Sequence, residues 1–196
     1  MKRQVETKVP TTWGNYKVIA YADSEDEQNP TMAFVHEDIN IHEPVMVRLH
    51  SECLTGDVFH SLKCDCGPQL EKSMQMIREN KGVLIYLRQE GRNIGLINKL
   101  KAYQLQDTGM DTFEANVALG FDYDQRKYDL AVEILEDLGI SRVRLITNNP
   151  EKIEAIDNSA TIELVERVKI DIPHNRFNTK YLQAKKETMG HLINTK

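Results

Sequence analysis

Apolar residues in the first fifty positions come in short runs, Tyr16 to Tyr21, Met32 to Val35 and Val45 to Leu49. The acidic, polar stretch Asp23 to Pro30 separates the first two. Runs of this length, rich in β-branched and aromatic side chains, predict strands joined as hairpins. From Gln69 the period changes. Leu70, Met74 and Ile77 fall on one helical face, Gly82 marks a stop, and Val83 to Leu87 is the compact apolar run of a buried strand. Ile94, Ile97, Leu100 and Leu105 predict a helix with that face in the core. Leu130, Ile134, Leu135 and Leu138 predict another, ending at Gly139. Val143 to Ile146 reads as a buried strand. Thr147-Asn148-Asn149-Pro150 then opens a helix over Glu151 to Ile156, with Asn149 suited to the cap and Pro150 to the first turn. Ile162 to Val168 closes the strand set, and Tyr181 to Leu192 predicts a last helix whose final turn Gly190 weakens.

Strands first, then strands alternating with helices, define the fold class: α/β, a layered domain with a mixed β-sheet flanked by helices and antiparallel at its hairpin-rich start. With 196 residues, 40% of them hydrophobic, the chain is long enough to bury one core, so residues 1–196 are expected to form a single domain. A net charge of −5 without a basic tract argues against nucleic acid as partner, because such binding rests on surplus Lys and Arg. Met1 to Pro10 is charged rather than apolar, and no later run approaches the roughly 20 apolar residues that span a bilayer. A soluble, cytoplasmic protein with no membrane association is expected.

The candidate chemistry begins with three cysteines, Cys53, Cys64 and Cys66. An odd count without a signal peptide disfavours a disulfide framework and suits a reducing compartment. Three close thiols are one short of the four ligands of a closed zinc site. They therefore fit catalytic zinc, which keeps a position for water and lowers its pKa to roughly 7. A structural Cys3His site completed by His50 or His60, Cys53 as a lone nucleophile, or no metal at all, stays open on spacing alone.

The flanking residues are unusually polar. Arg48, at the end of a predicted strand, suits either a phosphate fork or a surface ion pair. Glu52, beside a ligand, suits either a proton relay or a solvated position. Arg88-Gln89-Glu90-Gly91-Arg92-Asn93-Ile94-Gly95 joins a buried strand to a helix, where α/β folds bind ligands, although it is neither G-x-G-x-x-G nor a P-loop and a plain turn fits equally. The junction at Thr147 offers amides, a positive helix end and Lys152 one turn inside as a phosphate seat. Asp122-Tyr123-Asp124-Gln125-Arg126, read alone, is a solvated charged loop.

Taken together, Arg48-Leu49-His50-Ser51-Glu52-Cys53-Leu54-Thr55-Gly56-Asp57, Cys64-Asp65-Cys66-Gly67, Arg88 to Leu96 and Leu145-Ile146-Thr147-Asn148-Asn149-Pro150 closely resemble the GTP cyclohydrolase II family, in order and over nearly the whole chain. The resemblance implies opening of the imidazole ring of GTP with release of formate and pyrophosphate, leaving 2,5-diamino-6-(5-phosphoribosylamino)pyrimidin-4(3H)-one, the first committed step toward riboflavin. It implies Cys53, Cys64 and Cys66 as ligands of one zinc, with activated water attacking C8 of guanine and Tyr103 assisting ring opening. GTP-holding positions fall on Arg48, Leu49, His50, Ser51, Glu52, Gln69, Glu90, Gly91, Arg92, Thr112, Thr147 and Lys152. Magnesium accompanies the triphosphate, and a homodimer is expected. Pyrophosphate loss is assigned in the family to Arg126 as nucleophile with Asp124 as its base. A guanidinium stays protonated and has no lone pair to offer, so a phosphate clamp is the physically better role for Arg126.

Pro68 and Ala184 depart from the common pattern without touching a site position. The chain has no room for the dihydroxybutanone phosphate synthase domain fused in many relatives and is expected to be monofunctional. Two rivals remain. His50-Ser51-Glu52 matches the H-x-E of zinc nucleobase deaminases, but their P-C-x-x-C is missing. A non-enzymatic nucleotide-binding module with structural zinc would need a histidine as fourth ligand.

Overall fold

The computed structural model describes residues 1–122 and 124–192, apart from the side chains of Thr112, Phe113, Lys180, Ala184, Lys185, Thr188 and Met189. Its strands are β1 (Lys2–Thr11), β2 (Gly14–Ala22), β3 (Thr31–His36), β4 (Val45–Ser51), β5 (Val83–Leu87), β6 (Arg142–Ile146) and β7 (Glu163–Val168). Its helices are α1 (Leu54–Asp57), α2 (Cys66–Asn80), α3 (Glu90–Asn93), α4 (Gly95–Asp107), α5 (Thr112–Ala118), α6 (Asp129–Asp137), α7 (Pro150–Asp157) and α8 (Thr179–Met189). The chain divides into two compact units. The first comprises Met1–His50, Glu71–Arg88 and Tyr128–Ile170, and the second Ser51–Leu70, Gln89–Lys127 and Asp171–Lys196.

The first unit holds one seven-stranded sheet in the order β1-β2-β3-β5-β4-β6-β7. β1, β2, β3 and β5 pair antiparallel in turn, whereas β4 with β6 and β6 with β7 are parallel. The mixed α/β sheet expected from the alternation of runs is therefore what forms. Val47, Leu49, Val83, Ile85, Leu87, Val143 and Leu145 pack with Ile134 and Leu135 of α6 and Ile156 of α7 in one core cluster. Each such side chain, removed wholly from water, contributes about 1.5–3 kcal/mol. β4 and β5 are covered on both faces, which explains why β5 reads as an unbroken apolar run and β4 as one interrupted by the buried Arg48 and His50.

The edge strand β1 was not among the expected strands. It is mostly exposed and charged, and it forms because its backbone pairs with β2 from Lys2 opposite Ala22 to Thr11 opposite Gly14. Gly82 does stop α2, but not through its own conformation. Lys81 takes the left-handed turn (φ 51°), and a Cβ on Gly82 would stand 2.1 Å from the Met46 carbonyl oxygen. Gly139 ends α6 as expected, in the left-handed region at φ 71°. Among the described residues, no helix is long and apolar enough to cross a membrane.

Candidate metal centre

The second unit brings the three cysteines together. Cys53 precedes α1 with non-helical backbone, φ −146° and ψ 84°. Its N–H donates to Asp57 Oδ2 at 3.0 Å, and its carbonyl accepts from the Gly56 and Asp57 amides at 2.9 and 2.7 Å. Cys66 opens α2, two residues after Cys64, and the turn is held by Gln69, whose N–H donates to the Asp65 carbonyl while its side-chain amide donates to Asp65 Oδ2. The three Sγ atoms lie within 4.8 Å of one another, with Cys53 and Cys64 at 3.7 Å. Thiolates about 2.3 Å from a tetrahedral zinc stand about 3.8 Å apart, so the trio fits the ion. Gly56 leaves room for that convergence, since a Cβ there would meet Cys64 Sγ at 2.9 Å and Cys53 Sγ at 3.1 Å. Among the described residues the ligand cluster contains no histidine. His50 belongs to the first unit and stacks on Tyr86, 5.6 Å between ring centres.

Electrostatics single out one thiol. Hydrogen bonds from Cys64 and Cys66, together with Lys99, hold the Cys53 thiol far below its ordinary pKa against the opposing effect of burial. The same bonds push Cys64 up to about 11 and Cys66 well above its usual range. The Cys53 thiolate is thus favoured before any metal is present, with Lys99 as its cation, and a bound divalent metal would displace protons from the other two thiols.

A cleft of about 740 Å³, including its solvent-open part, surrounds the thiols. Ser51, Glu52, Glu90, Gly91, Arg92, Tyr103 and Arg126 line it together with the cysteines, all within the second unit. Gln89 lines it too, and Ser51 Oγ and Gln89 Oε1 are buried without a hydrogen-bond partner among the described residues, an arrangement that calls for a ligand or water. The Tyr103 hydroxyl lies 3.5 Å from Thr55 Oγ1, and burial raises its pKa, so it carries its proton at neutral pH. Asp124 grips Arg126 through both carboxylate oxygens, one bond measuring 2.8 Å. Burial alone would raise the Asp124 pKa, but the guanidinium outweighs it and holds the carboxyl below its usual range. The loop read as solvated when taken alone is therefore a buried ion pair, 2% and 11% exposed at its two side chains. Tyr123, within that loop, lies outside the described residues, as does the side chain of Thr112.

The backbone of α3 is a left-handed turn rather than regular helix, with φ of 62° at Gly91 and 63° at Arg92, followed by 73° at Asn93. Left-handed backbone at two non-glycine residues costs of the order of 1–2 kcal/mol each. Bonds from Gln125 N to the Arg92 carbonyl and from Asn93 Nδ2 to the Gln125 carbonyl hold it. The turn sets the Arg92 guanidinium 6.0 Å from the Tyr181 ring of α8.

Arg48, Leu49, His50, Thr147 and Lys152 belong to the sheet unit instead. There Arg48 Nη1 donates to the Ile146 carbonyl at 3.0 Å, and Lys152 Nζ to the Leu49 carbonyl at 2.8 Å, both side chains being buried. The junction expected to present open amides satisfies several of them internally. Thr147 N bonds the Val168 carbonyl, Asn149 N bonds Thr147 Oγ1, and Glu151 N bonds the Asn149 cap.

A family model described as GTP cyclohydrolase II matches residues 2–169. The chain belongs to the GTP cyclohydrolase II family. It is 52% identical over 194 residues to riboflavin biosynthesis protein RibBA of Chlorobium phaeovibrioides, covering 98% of this chain and 47% of that protein. It is 52% identical over 193 residues to RibBA of Bacillus cereus, covering 98% and 48%. GTP cyclohydrolase-2 of Haemophilus influenzae is 52% identical over 190 residues, 96% of this chain and 87% of that protein. The chain thus spans about half the length of the RibBA relatives it matches.

For a GTP cyclohydrolase II relative, the residue that sequence reasoning missed is Lys99. Its Nζ lies 3.1 Å from Cys53 Sγ and 2.8 Å from Glu90 Oε1. The expected core face holds at Ile94, which is buried, but not in the middle of α4: Ile97 and Leu100 are exposed, while Lys99 and Ala102 are buried. The available signal was helical spacing, because Lys99 stands four residues before Tyr103 and therefore shares its face.

Proposed function

We propose that this chain hydrolyses GTP to 2,5-diamino-6-(5-phosphoribosylamino)pyrimidin-4(3H)-one, formate and pyrophosphate, the first committed step of riboflavin biosynthesis. The observation that carries the reading is the three-thiol cluster, buried at Cys53 and Cys64, opening into a cleft lined by Glu90, Arg92, Tyr103 and Arg126. Cys53, Cys64 and Cys66 would hold one zinc ion, which when bound supplies activated water at neutral pH.

The remaining roles fall to the chain's own groups. Tyr103, protonated at its hydroxyl oxygen, donates to the imidazole nitrogen released on ring opening. Asp124, ionised, fixes the Arg126 guanidinium through two parallel bonds, and Arg126 then neutralises charge at the α-phosphate as water displaces pyrophosphate. Glu52 and Ser51, on the cleft wall, orient the base, and Gly91 and Arg92 contact the nucleotide. Gln69 keeps the Cys64–Cys66 turn in shape. Thr112 remains part of the proposal as a GTP contact. In the sheet unit, Arg48 and Lys152 supply buried positive charge, and Leu49, His50 and Thr147 belong to the same proposed GTP-holding set. Magnesium would travel with the triphosphate as part of the substrate. A homodimer in the cytoplasm completes the reading, supported by the exposed apolar side chains Phe59, Leu62, Ile97 and Leu100, which a second copy would cover.

Incubating the purified protein with GTP and zinc, and measuring formate, pyrophosphate and ammonia together, tests the proposal. Formate with pyrophosphate supports it, ammonia points to a deaminase, and binding of GTP without any product points to a nucleotide-binding module.

A further inference from the structure

Lys99 takes the metal reading one step further, and the step rests on that reading. Its ammonium is buried, 9% exposed as a residue, and has two partners of unlike kind, Cys53 Sγ at 3.1 Å and Glu90 Oε1 at 2.8 Å. Glu90 is in turn fixed to the backbone on both oxygens: Oε1 accepts from Gly91 N at 2.7 Å, and Oε2 accepts from Leu54 N, next to Cys53, at 2.6 Å. Gly91 is part of the fit, because a Cβ there would press on Lys99 Cβ at 3.1 Å. A lysine needed only to neutralise Glu90 has no reason to be aimed at a sulfur. Three thiolates around a divalent cation carry one net negative charge, costly in a buried setting unless a fixed cation stands beside it.

We propose that Lys99 is a positioning residue for the metal. Its ammonium donates a hydrogen bond to the Cys53 thiolate, fixes the direction of that ligand and withdraws charge from it, while Glu90 anchors Lys99 against the backbone of α1. Groups bonded to metal ligands in this way commonly change metal affinity about 10–100-fold. Withdrawing charge from a thiolate also leaves the bound metal a stronger Lewis acid, the property that hydrolysis draws on.

The test is cobalt(II) substitution of wild type, K99M and K99R, read as cobalt affinity and as the thiolate-to-cobalt charge-transfer band. K99M is expected to bind cobalt about 10–100-fold more weakly, with the band moved to longer wavelength because an undonated thiolate gives up charge more easily. K99R keeps a charged donor and should return the band toward its wild-type position. Affinity and band unchanged in K99M would overturn the proposal, and so would a band displaced equally in K99M and K99R, which would assign the effect to packing. Should K99M fail to fold, K99Q, neutral and one atom shorter, is read by the same criteria. A wild-type protein that takes up no cobalt or zinc would remove the metal reading itself, whereas tight uptake unaffected by K99M removes only the role of Lys99.

Discussion

In the sheet unit, Val47, Leu49, Ile85, Leu87 and Leu145 are wholly buried, and the two interior cations Arg48 and Lys152 donate to backbone carbonyls. In the thiol unit the pattern reverses. Val58, Phe59, Leu62, Ile97 and Leu100 stand exposed, while Lys99 and two of the thiols are buried and Glu90 and Arg126 nearly so. One unit is held by apolar area removed from water, a non-directional force that tolerates small shifts. The other is held by directional bonds among charged groups, where a missing partner leaves a buried charge uncompensated. The same kind of truncation should therefore have different consequences in the two units.

The largest separation is expected from Cys64→Ser. Metal content should fall to background and formate release by at least about 1000-fold, the effect of losing several kcal/mol of transition-state stabilisation. The circular dichroism of the sheet should persist. Collapse of the whole fold would break the distinction between the units. Next comes Ile85→Ala, which opens a cavity in the sheet core and should lower unfolding free energy by about 2–5 kcal/mol in denaturant titration. Metal affinity of the protein that remains folded should not change.

Gly56→Ala sharpens the contrast through its sign. At most helical positions this change stabilises by about 0.4–1 kcal/mol. Here the added Cβ would meet Cys64 Sγ at 2.9 Å, so chelator competition should show weakened metal binding. Unchanged or tighter binding would show that the thiol cluster does not depend on this close approach.

The smallest effect concerns pH. The Asp124 carboxyl titrates below its unfolded value because Arg126 outweighs burial. Its contribution to stability is therefore fully present above the ordinary carboxylate range and lost as pH falls through the lower folded value. Thermal melts of Asp124→Asn should be less stable than wild type at neutral pH, and the two should converge in acid. A difference independent of pH would mean that the pair contributes through shape alone.

The same reversal governs what could be read from residues alone. Val83 to Leu87 was legible as a strand because burial on both faces writes itself as an apolar run, Val143 to Ile146 because its apolar residues are interrupted only by the partly buried Arg144, and Asn149 with Pro150 announced the start of α7. β1 was not, since an exposed edge strand held by its ladder needs no apolar period. In the thiol unit the cysteines were legible through their rarity and spacing, whereas Lys99 was not, because lysine is so seldom buried that its default place is the surface. Ile97 and Leu100 misled for the matching reason: helical periodicity marks a shared face and says nothing of whether a core lies against it. The Asp124–Arg126 pair came only through the family resemblance, because two charged residues in a loop, read alone, look solvated until a fold encloses them.

In the proposed centre, three thiolates hold one metal ion and leave a ligand position to solvent. X-ray absorption on the zinc-loaded protein measures this directly. Three sulfur scatterers at about 2.3 Å and one light oxygen scatterer without imidazole features are predicted. A fourth sulfur, a histidine signature, or no stoichiometric zinc in the purified chain would rule that centre out.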